Sequence, residues 1–296
     1  MKTIDVLNAA VEQSLPNAPV QTPKQPILIS LVIPTQTQEK AQQCVQIWGN
    51  ALNDLPAHSV ELLPQVGCSS MSEAYNKGLA AAKGMITIFS HNDNYPFPLE
   101  QNKVGNRILE HMSKADVIGV AGASRVVADK WYMAGRPYCF GLVVNVSPTN
   151  PPPPGMIPLS TAIWEIPAKR VMGIKVLDGC CIIAKTDVAK KIGWDTRYKH
   201  FHGYDVDFSY EASRAGYKVA VVSDLLMCHQ SAGSYNQPEW ATAAEEFMKK
   251  FDGCFSAHPT LGMVYAYGNL GGADPITVYR NLKALMSMTQ EEVTAA

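Results

Sequence analysis

Ile27-Leu-Ile-Ser-Leu-Val-Ile33 carries apolar side chains at every position except Ser30. Successive strand residues point to opposite faces, so a run without a polar side has no face to give to solvent. It predicts a central strand covered by helices on both sides, the arrangement of parallel sheets. Pro34-Thr35 ends it. A helical stretch from Glu39 to Leu52, a second strand from Ser59 to Leu63 and a polar loop from Gln65 to Ser70 follow. Ser70-Met-Ser-Glu73 is a capping box opening the next helix, which turns Tyr75, Leu79 and Ala82 to one side and is closed by Gly84. Met85 to Phe89 then reads as a strand, the region Lys103 to Met112 as a helix, and Val117 to Ala121 as another buried strand. This β-α-β-α-β alternation predicts an α/β fold with a mostly parallel central sheet and helices on both faces.

Four segments are expected. Residues 1–26 comprise a helix with Ile4, Leu7, Val11 and Leu15 in helical register, then a Pro-rich connector. Residues 27–146 form a first half that binds a nucleotide or similar ligand at its strand ends. Pro148 to Gly155 is a stiff extended connector and marks the boundary to a second half, 147–250, for the acceptor. There, Val176 to Ala184 reads as a strand, Asp187 to Ile192 as a short helix, Phe208 to Ala215 as a helix closed by Gly216, and Lys218 to Val222 as a strand. Residues 251–296 are a helical extension; Ala241 to Phe251 and Ile276 to Met288 are the helices of the tail.

With 296 residues, 47% hydrophobic and 17% charged, the chain can bury a core as one large domain or two joined halves. No apolar run reaches the roughly 18 residues that signal a membrane span. Met1-Lys-Thr-Ile-Asp-Val lacks the apolar core of a secretion signal, so the cytoplasm is the expected location. Seven cysteines without a Cys-x-x-Cys pair make neither a disulfide framework nor a zinc signature, and adjacent Cys180 and Cys181 read as reduced core residues. A net charge of −1 argues against wholesale coating of nucleic acid. One basic patch stands out: Lys169, Arg170, Lys175, Lys185, Lys190, Lys191, Arg197 and Lys199 against Asp178, Asp187 and Asp195. It is either a solvated face balanced elsewhere or a dock for an anionic acceptor.

The chemistry-bearing residues follow the strand Met85-Ile-Thr-Ile-Phe-Ser, which runs into His91-Asn92-Asp93-Asn94. A strand ending this way delivers an imidazole and a carboxylate to the carboxyl edge of a sheet, where open α/β folds place ligands. Asn and Asp also sit there simply to bond turn backbone. Gly203-Tyr-Asp205-Val-Asp207 precedes a helix, whose dipole favours ionised carboxylates at its start, and one of the two aspartates could serve only as a cap. His229 lies apart from both.

Together these segments resemble a GT-A glycosyltransferase of the family 2 type, in particular its branch with His-x-Asp in place of Asp-x-Asp. The segments that match are Ile29 to Thr35, Ser72-Glu-Ala-Tyr-Asn-Lys-Gly78, His91-Asn-Asp93, Val117 to Gly122, Leu177-Asp-Gly179, His202 to Phe208, Ala215 to Val219 and His229 to Ser234. The resemblance implies that Pro34, Thr35, Asn76, Lys77, His91 and Asn92 border a UDP- or GDP-sugar donor. It implies that Asp93, with His229 as a distant ligand, holds Mn²⁺ or Mg²⁺ on the diphosphate. Asp178, Gly179, Tyr204 and Asp207 would lie on the acceptor side and Asp205 would be the base, with inversion at the anomeric carbon. Glu73 is explained by capping alone.

Two departures accompany the likeness. Leu62-Leu-Pro-Gln-Val-Gly-Cys68 lacks the acidic residue that usually contacts the nucleobase and ribose, and His91 and Tyr204 replace a carboxylate each. The acceptor is a saccharide or another hydroxyl compound. The same chemistry on a hydroxylated base of nucleic acid would rest on the basic patch, and a non-catalytic nucleotide-sugar-binding module is a third reading that Asp93 and Asp205 oppose. A nucleotidyltransferase would need a Gly-rich phosphate loop, which is missing after Pro34.

Overall fold

The computed structural model describes residues 26–97, 100, 103–127, 130–146, 159–230, 238–252, 266–268, 275–287 and 289–295. β1 (Ile29–Thr35) lies between β2 (Val60–Val66) and β3 (Ile86–Ser90) and runs parallel to both. Its two apolar faces are covered from opposite sides. Ile29, Leu31 and Ile33 pack with Cys44 and Trp48 of α1 (Gln38–Ala51), whereas Val32 packs with Tyr75 and Leu79 of α2 (Met71–Ala81). Ser30 is buried without penalty because its hydroxyl donates to Glu61 and accepts the Gly84 N–H. β2 extends through Pro64 to Val66, beyond the expected stop at Leu63, because it is an outer strand and a missing N–H there costs no ladder bond.

Beyond β3 come β4 (Asn94–Pro96), α3 (Val104–Met112), β5 (Val117–Gly119), β6 (Ala121–Ala123), β7 (Cys139–Val146), β8 (Leu159–Ile163), β9 (Ala168–Met172), β10 (Val176–Leu177) and β11 (Cys181–Lys185). They are followed by α4 (Thr186–Ile192), α5 (Tyr204–Arg214), β12 (Val219–Val222), β13 (Met227–His229), α6 (Pro238–Lys250), β14 (Ala266–Gly268), α7 (Pro275–Ser287) and β15 (Gln290–Thr294). The main sheet has the order β15-β9-β12-β5-β11-β3-β1-β2. Four of its seven neighbouring pairs are parallel, the mixed α/β architecture expected. A second sheet runs β10-β6-β7-β13-β4, with β8 beside β7 and β14 beside β8.

Several boundaries differ from expectation. Val117 to Ala121 is divided between the two sheets, β5 in one and β6 in the other. Val176 to Ala184 is interrupted by a turn at Asp178–Cys180, which separates β10 from β11. Gly84 does not cap α2, which stops at Ala81. A Cβ at Gly84 would stand 2.5 Å from Ser30 N, so close backbone approach explains this glycine. The tail adds a strand as well as helices, since β15 pairs with β9 in parallel. The expected N-terminal helix, the connector up to residue 25, the Pro148–Gly155 connector and residues 231–234 of the His229 segment lie outside the described residues. Among the described residues, no helix is long and apolar enough to cross a membrane.

α5 begins at Tyr204, earlier than expected, after Gly203 in the left-handed region at φ 78°. This start places Asp205 and Asp207 in its first turn, pointing to different neighbours. Asp207 does not reach the acceptor side. It is buried, its carboxylate accepts from Tyr198 Oη at 3.0 Å and from Lys250 Nζ at 2.8 Å, and Lys250 also meets Asp195 at 3.0 Å. Burial raises the Asp207 pKa, partly offset by Lys250 and Tyr198, so desolvation outweighs the helix dipole. The aspartate thereby ties α5 to the end of α6. Asp207→Asn is expected to cost about 1–3 kcal/mol, the scale of a hydrogen bond to a charged group. Urea denaturation would measure this, and a variant of unchanged stability that fails only in turnover would return Asp207 to the acceptor side.

Candidate active site

Because β1, β2 and β3 are parallel, their carboxyl ends open on one edge, and the loops that leave them surround a cleft of about 330 Å³. Pro34 and Thr35 at the end of β1 and Gln36 after it line one part, Gln65 at the end of β2 with Gly67, Cys68 and Ser70 a second, and His91, Asn92 and Asp93 after β3 a third. Met71 at the start of α2 and Phe201 before α5 complete the lining. Thr35 Oγ1 is buried and has no hydrogen-bond partner, which leaves a polar group for a ligand. The Asn92 amide donates to Gln36 Oε1 at 2.8 Å, joining the first and third loops.

The α2 helix is capped as expected at one end of its box: Ser70 Oγ accepts the Glu73 N–H. The reciprocal bond is displaced by one residue, since the Glu73 carboxylate takes the N–H and hydroxyl of Ser69. Asn76 has a different partner from the expected diphosphate. Its amide donates to the Trp194 carbonyl at 2.7 Å and accepts the Trp194 N–H at 3.0 Å, and neither Asn76 nor Lys77 lines the cleft.

Asp93 and His229 meet through strand register. β13 pairs antiparallel with β4, placing His229 opposite Asn94, and the Gln230 N–H donates to the Asp93 carbonyl at 2.7 Å. His229 Nε2 then stands 3.5 Å from Asp93 Oδ1, and His91 Nδ1 stands 3.9 Å from the same oxygen. One ligand atom from each of the three residues lies within 4.8 Å of the others. Nε2 of His229 is buried and makes no well-formed hydrogen bond, its approach to Asp93 being ionic. An orphaned imidazole nitrogen beside a carboxylate and a second imidazole fits a divalent cation.

The charges in this cluster follow from burial and pairing. Burial opposes ionisation of Asp93, but His229 and His91 outweigh it and hold its pKa below the usual carboxylate value. Burial likewise opposes protonation of His229, yet Asp93 prevails and raises its pKa. His91 is pushed down to about 4 by burial and then by His229, so its imidazole is neutral near pH 7.

The turn that interrupts β10 and β11 packs against the start of α5. Asp178 Oδ1 accepts the Cys180 N–H at 2.9 Å and Oδ2 accepts from Trp131 Nε1 at 3.0 Å. A Cβ at Gly179 would stand 2.3 Å from Tyr204 Oη and 2.9 Å from Asp205 Oδ2, so this position has no room for a side chain. The Asp205 pKa is raised to about 7, first by desolvation and then by the charge of Asp178, against N–H donors from Val206, Asp205 and Gly179. The expectation that the helix dipole favours the ionised form of both α5 aspartates meets an opposing effect here as for Asp207, since removal from water raises the pKa. Asp205 still has part of its surface open to solvent.

Tyr204 joins this turn to the cleft. Its hydroxyl is 2.5 Å from His91 Nε2 and 3.4 Å from the Gly179 carbonyl. Asp93, His91, Tyr204 and Asp205 therefore form a continuous run of neighbours, of which Asp93 and His91 line the cleft. Sequence reasoning did not single out Phe201, Gln36, Gln65 or Trp131. Gln65 had a signal, as the polar residue at the end of β2 where an acidic one was sought.

The basic patch is largely consumed within the protein. Lys169 pairs with Glu291, Arg170 with Glu292, Lys185 with Asp116, and Arg197 with Asp195, while Lys190 donates to the Ala82 carbonyl. Half of the eight cations that the sequence offered as a dock for an anionic acceptor are thus balanced by carboxylates of the protein itself.

Comparison with known proteins gives results at two levels. No curated protein matches the chain. Among solved structures, the mannosyltransferase PcManGT of Pyrobaculum calidifontis, in complex with GDP-Man and Mn²⁺, is 11% identical with a TM-score of 0.40, over 78% of this chain and 65% of that one. S. aureus TarS 1–349 in complex with UDP-GlcNAc is 12% identical with a TM-score of 0.42, over 70% and 59%. The catalytic domain of Drosophila β1,4-galactosyltransferase 7, in complex with xylobiose, is 12% identical with a TM-score of 0.42, over 71% and 73%. The chain thus spans 65% and 59% of the lengths of the first two. At the level of family, residues 30–253 fit the profile described as glycosyltransferase-like, a span that contains the cleft, the His91–Asp93 turn, Asp178, Asp205 and His229. On that match the chain belongs to the glycosyltransferase-like family.

Proposed function

We propose that this protein transfers a sugar from a nucleotide-sugar donor, a UDP- or GDP-sugar, to an acceptor hydroxyl. The observation that carries the proposal is the chain of contacts that connects the two aspartates, from Asp93 through His91 to Tyr204 and on to the Gly179–Asp205 packing. The donor's nucleoside occupies the cleft beyond β1, β2 and β3, where Thr35, Gln36 and Gln65 offer uncharged polar groups. Its diphosphate lies toward Asp93.

Asp93, His229 and His91 would hold a divalent cation, Mn²⁺ or Mg²⁺. When bound, such an ion neutralises charge on the departing diphosphate and fixes its orientation. The chain's own residues do the rest. Asp205 accepts the proton of the acceptor hydroxyl while that oxygen forms its bond to the anomeric carbon and the bond to the diphosphate breaks. A single displacement of this kind inverts the anomeric configuration. A base with a pKa near the working pH combines a useful ionised fraction with real proton affinity. Asp178 assists by raising the Asp205 pKa, and it is itself held in place by Trp131 and the Cys180 N–H.

Two experiments test the proposal. A nucleoside diphosphate is expected to raise the melting temperature by several degrees in Mn²⁺, a gain of about 2.7 kcal/mol at a hundredfold excess over Kd. Chelator or Asp93→Ala should remove the shift, and an equal shift in chelator would dismiss the cation. For the base, Asp205 works only when deprotonated, so transfer should rise with pH through about 7. Asp178→Asn removes a like charge and should move that rise to lower pH. Asp205→Asn should retain donor binding and lose about 10²- to 10⁴-fold in rate; an active variant, or a pH profile indifferent to Asp178, would dismiss Asp205 as the base.

A further inference from the structure

His91 can offer Nδ1 to a cation only while that nitrogen carries no proton, and in a neutral imidazole the single proton must then reside on Nε2. Nδ1 is the nitrogen facing Asp93 Oδ1, and Nε2 is the one facing Tyr204 Oη. A proton on Nε2 needs an acceptor. Tyr204 Oη supplies one, provided its own proton has another destination. The Gly179 carbonyl, which can only accept, lies 3.4 Å from that hydroxyl and offers such a destination. Gly179 can come this close because it has no side chain, a Cβ there falling 2.3 Å from Tyr204 Oη.

From this chain of donors and acceptors we infer that Tyr204 is a positioning residue, which sets the tautomer and orientation of His91 so that Nδ1 faces the cation site. The inference rests on the proposed cation site for its consequence, but the tautomer can be read without any metal. It also relates the two carboxylate replacements noted with the resemblance. His91 and Tyr204, each standing where a carboxylate is usual, are in direct contact across 113 residues of sequence. An imidazole needs an oriented partner that a carboxylate ligand does not, and a phenol can accept the imidazole proton without adding a negative charge. Second-sphere partners of this sort typically change metal affinity by 10- to 100-fold.

Tyr204→Phe isolates the hydroxyl, because the ring stays in place among Tyr75, Trp194 and His91. Long-range ¹H–¹⁵N correlation spectra of the full, metal-free chain at neutral pH are expected to show His91 protonated on Nε2, and Tyr204→Phe to shift the population toward Nδ1. Titration calorimetry with Mn²⁺ alone should give an affinity about 10- to 100-fold weaker for Tyr204→Phe. In a His91→Ala background, Tyr204→Phe should have no further effect on Mn²⁺ binding, since the coupling runs through the imidazole. Thermal denaturation of each variant separates loss of fold from loss of ligand geometry. A wild-type His91 protonated on Nδ1, or a Tyr204→Phe variant with unchanged spectrum and unchanged Mn²⁺ affinity, would overturn the inference. Failure of the cation proposal has another signature: wild-type protein that binds no Mn²⁺ while its His91 spectrum still responds to Tyr204→Phe.

Discussion

Burial of β1 on both faces governs the rest of the architecture. A strand with no polar side must have neighbours along both edges and a layer above and below, and here β2, β3, α1 and α2 supply them. Parallel pairing then follows, because each return crosses the sheet through a helix. Three strand ends consequently open on a single edge. The loops there are free of the sheet's hydrogen-bond ladder and can present polar side chains, so the same requirement that hides Ile29 to Ile33 also places His91 to Asp93 within reach of solvent.

The two carboxylates of the proposed site are treated in opposite ways. Asp93 is flanked by imidazoles that lower its pKa despite burial, while Asp205 is packed against protein with Asp178 nearby and has its pKa raised. Environments that push two titratable groups apart suit them to different tasks, one to hold positive charge and the other to exchange a proton. Tyr204 marks the division between them, with its hydroxyl turned to His91 on one side and its backbone continuous with Asp205 on the other.

Much of this was legible in the sequence, for physical reasons that differ by element. Apolar runs announce buried strands wherever they occur, so β1, β3, β11 and β12 were visible. The turn between β10 and β11 was not, because Asp178-Gly179 is enclosed by Leu177 and Cys180 and the apolar context hides a turn signal. Asp93, His229 and Asp205 emerged from short motifs, yet their juxtaposition depends on the β13–β4 register and on how α5 packs, neither of which has a local signature. Charge was the least readable property. Lys169 and Arg170 find their partners in β15, more than a hundred residues away, so a local tally left open whether the patch was balanced elsewhere or free to dock an anion.

β15 has a further bearing on behaviour in solution. It occupies the outer edge of β9, and Arg170, buried in β9, bonds Glu292 of β15 and His111 of α3 together. With β9 covered, the strand left at that margin among the described residues is β15, a short strand with charged, exposed Glu291 and Glu292, a composition that blunts pairing with a second sheet edge to edge. The protein therefore ends its sheet in a repellent border, and loosening β15 would uncover an adhesive one.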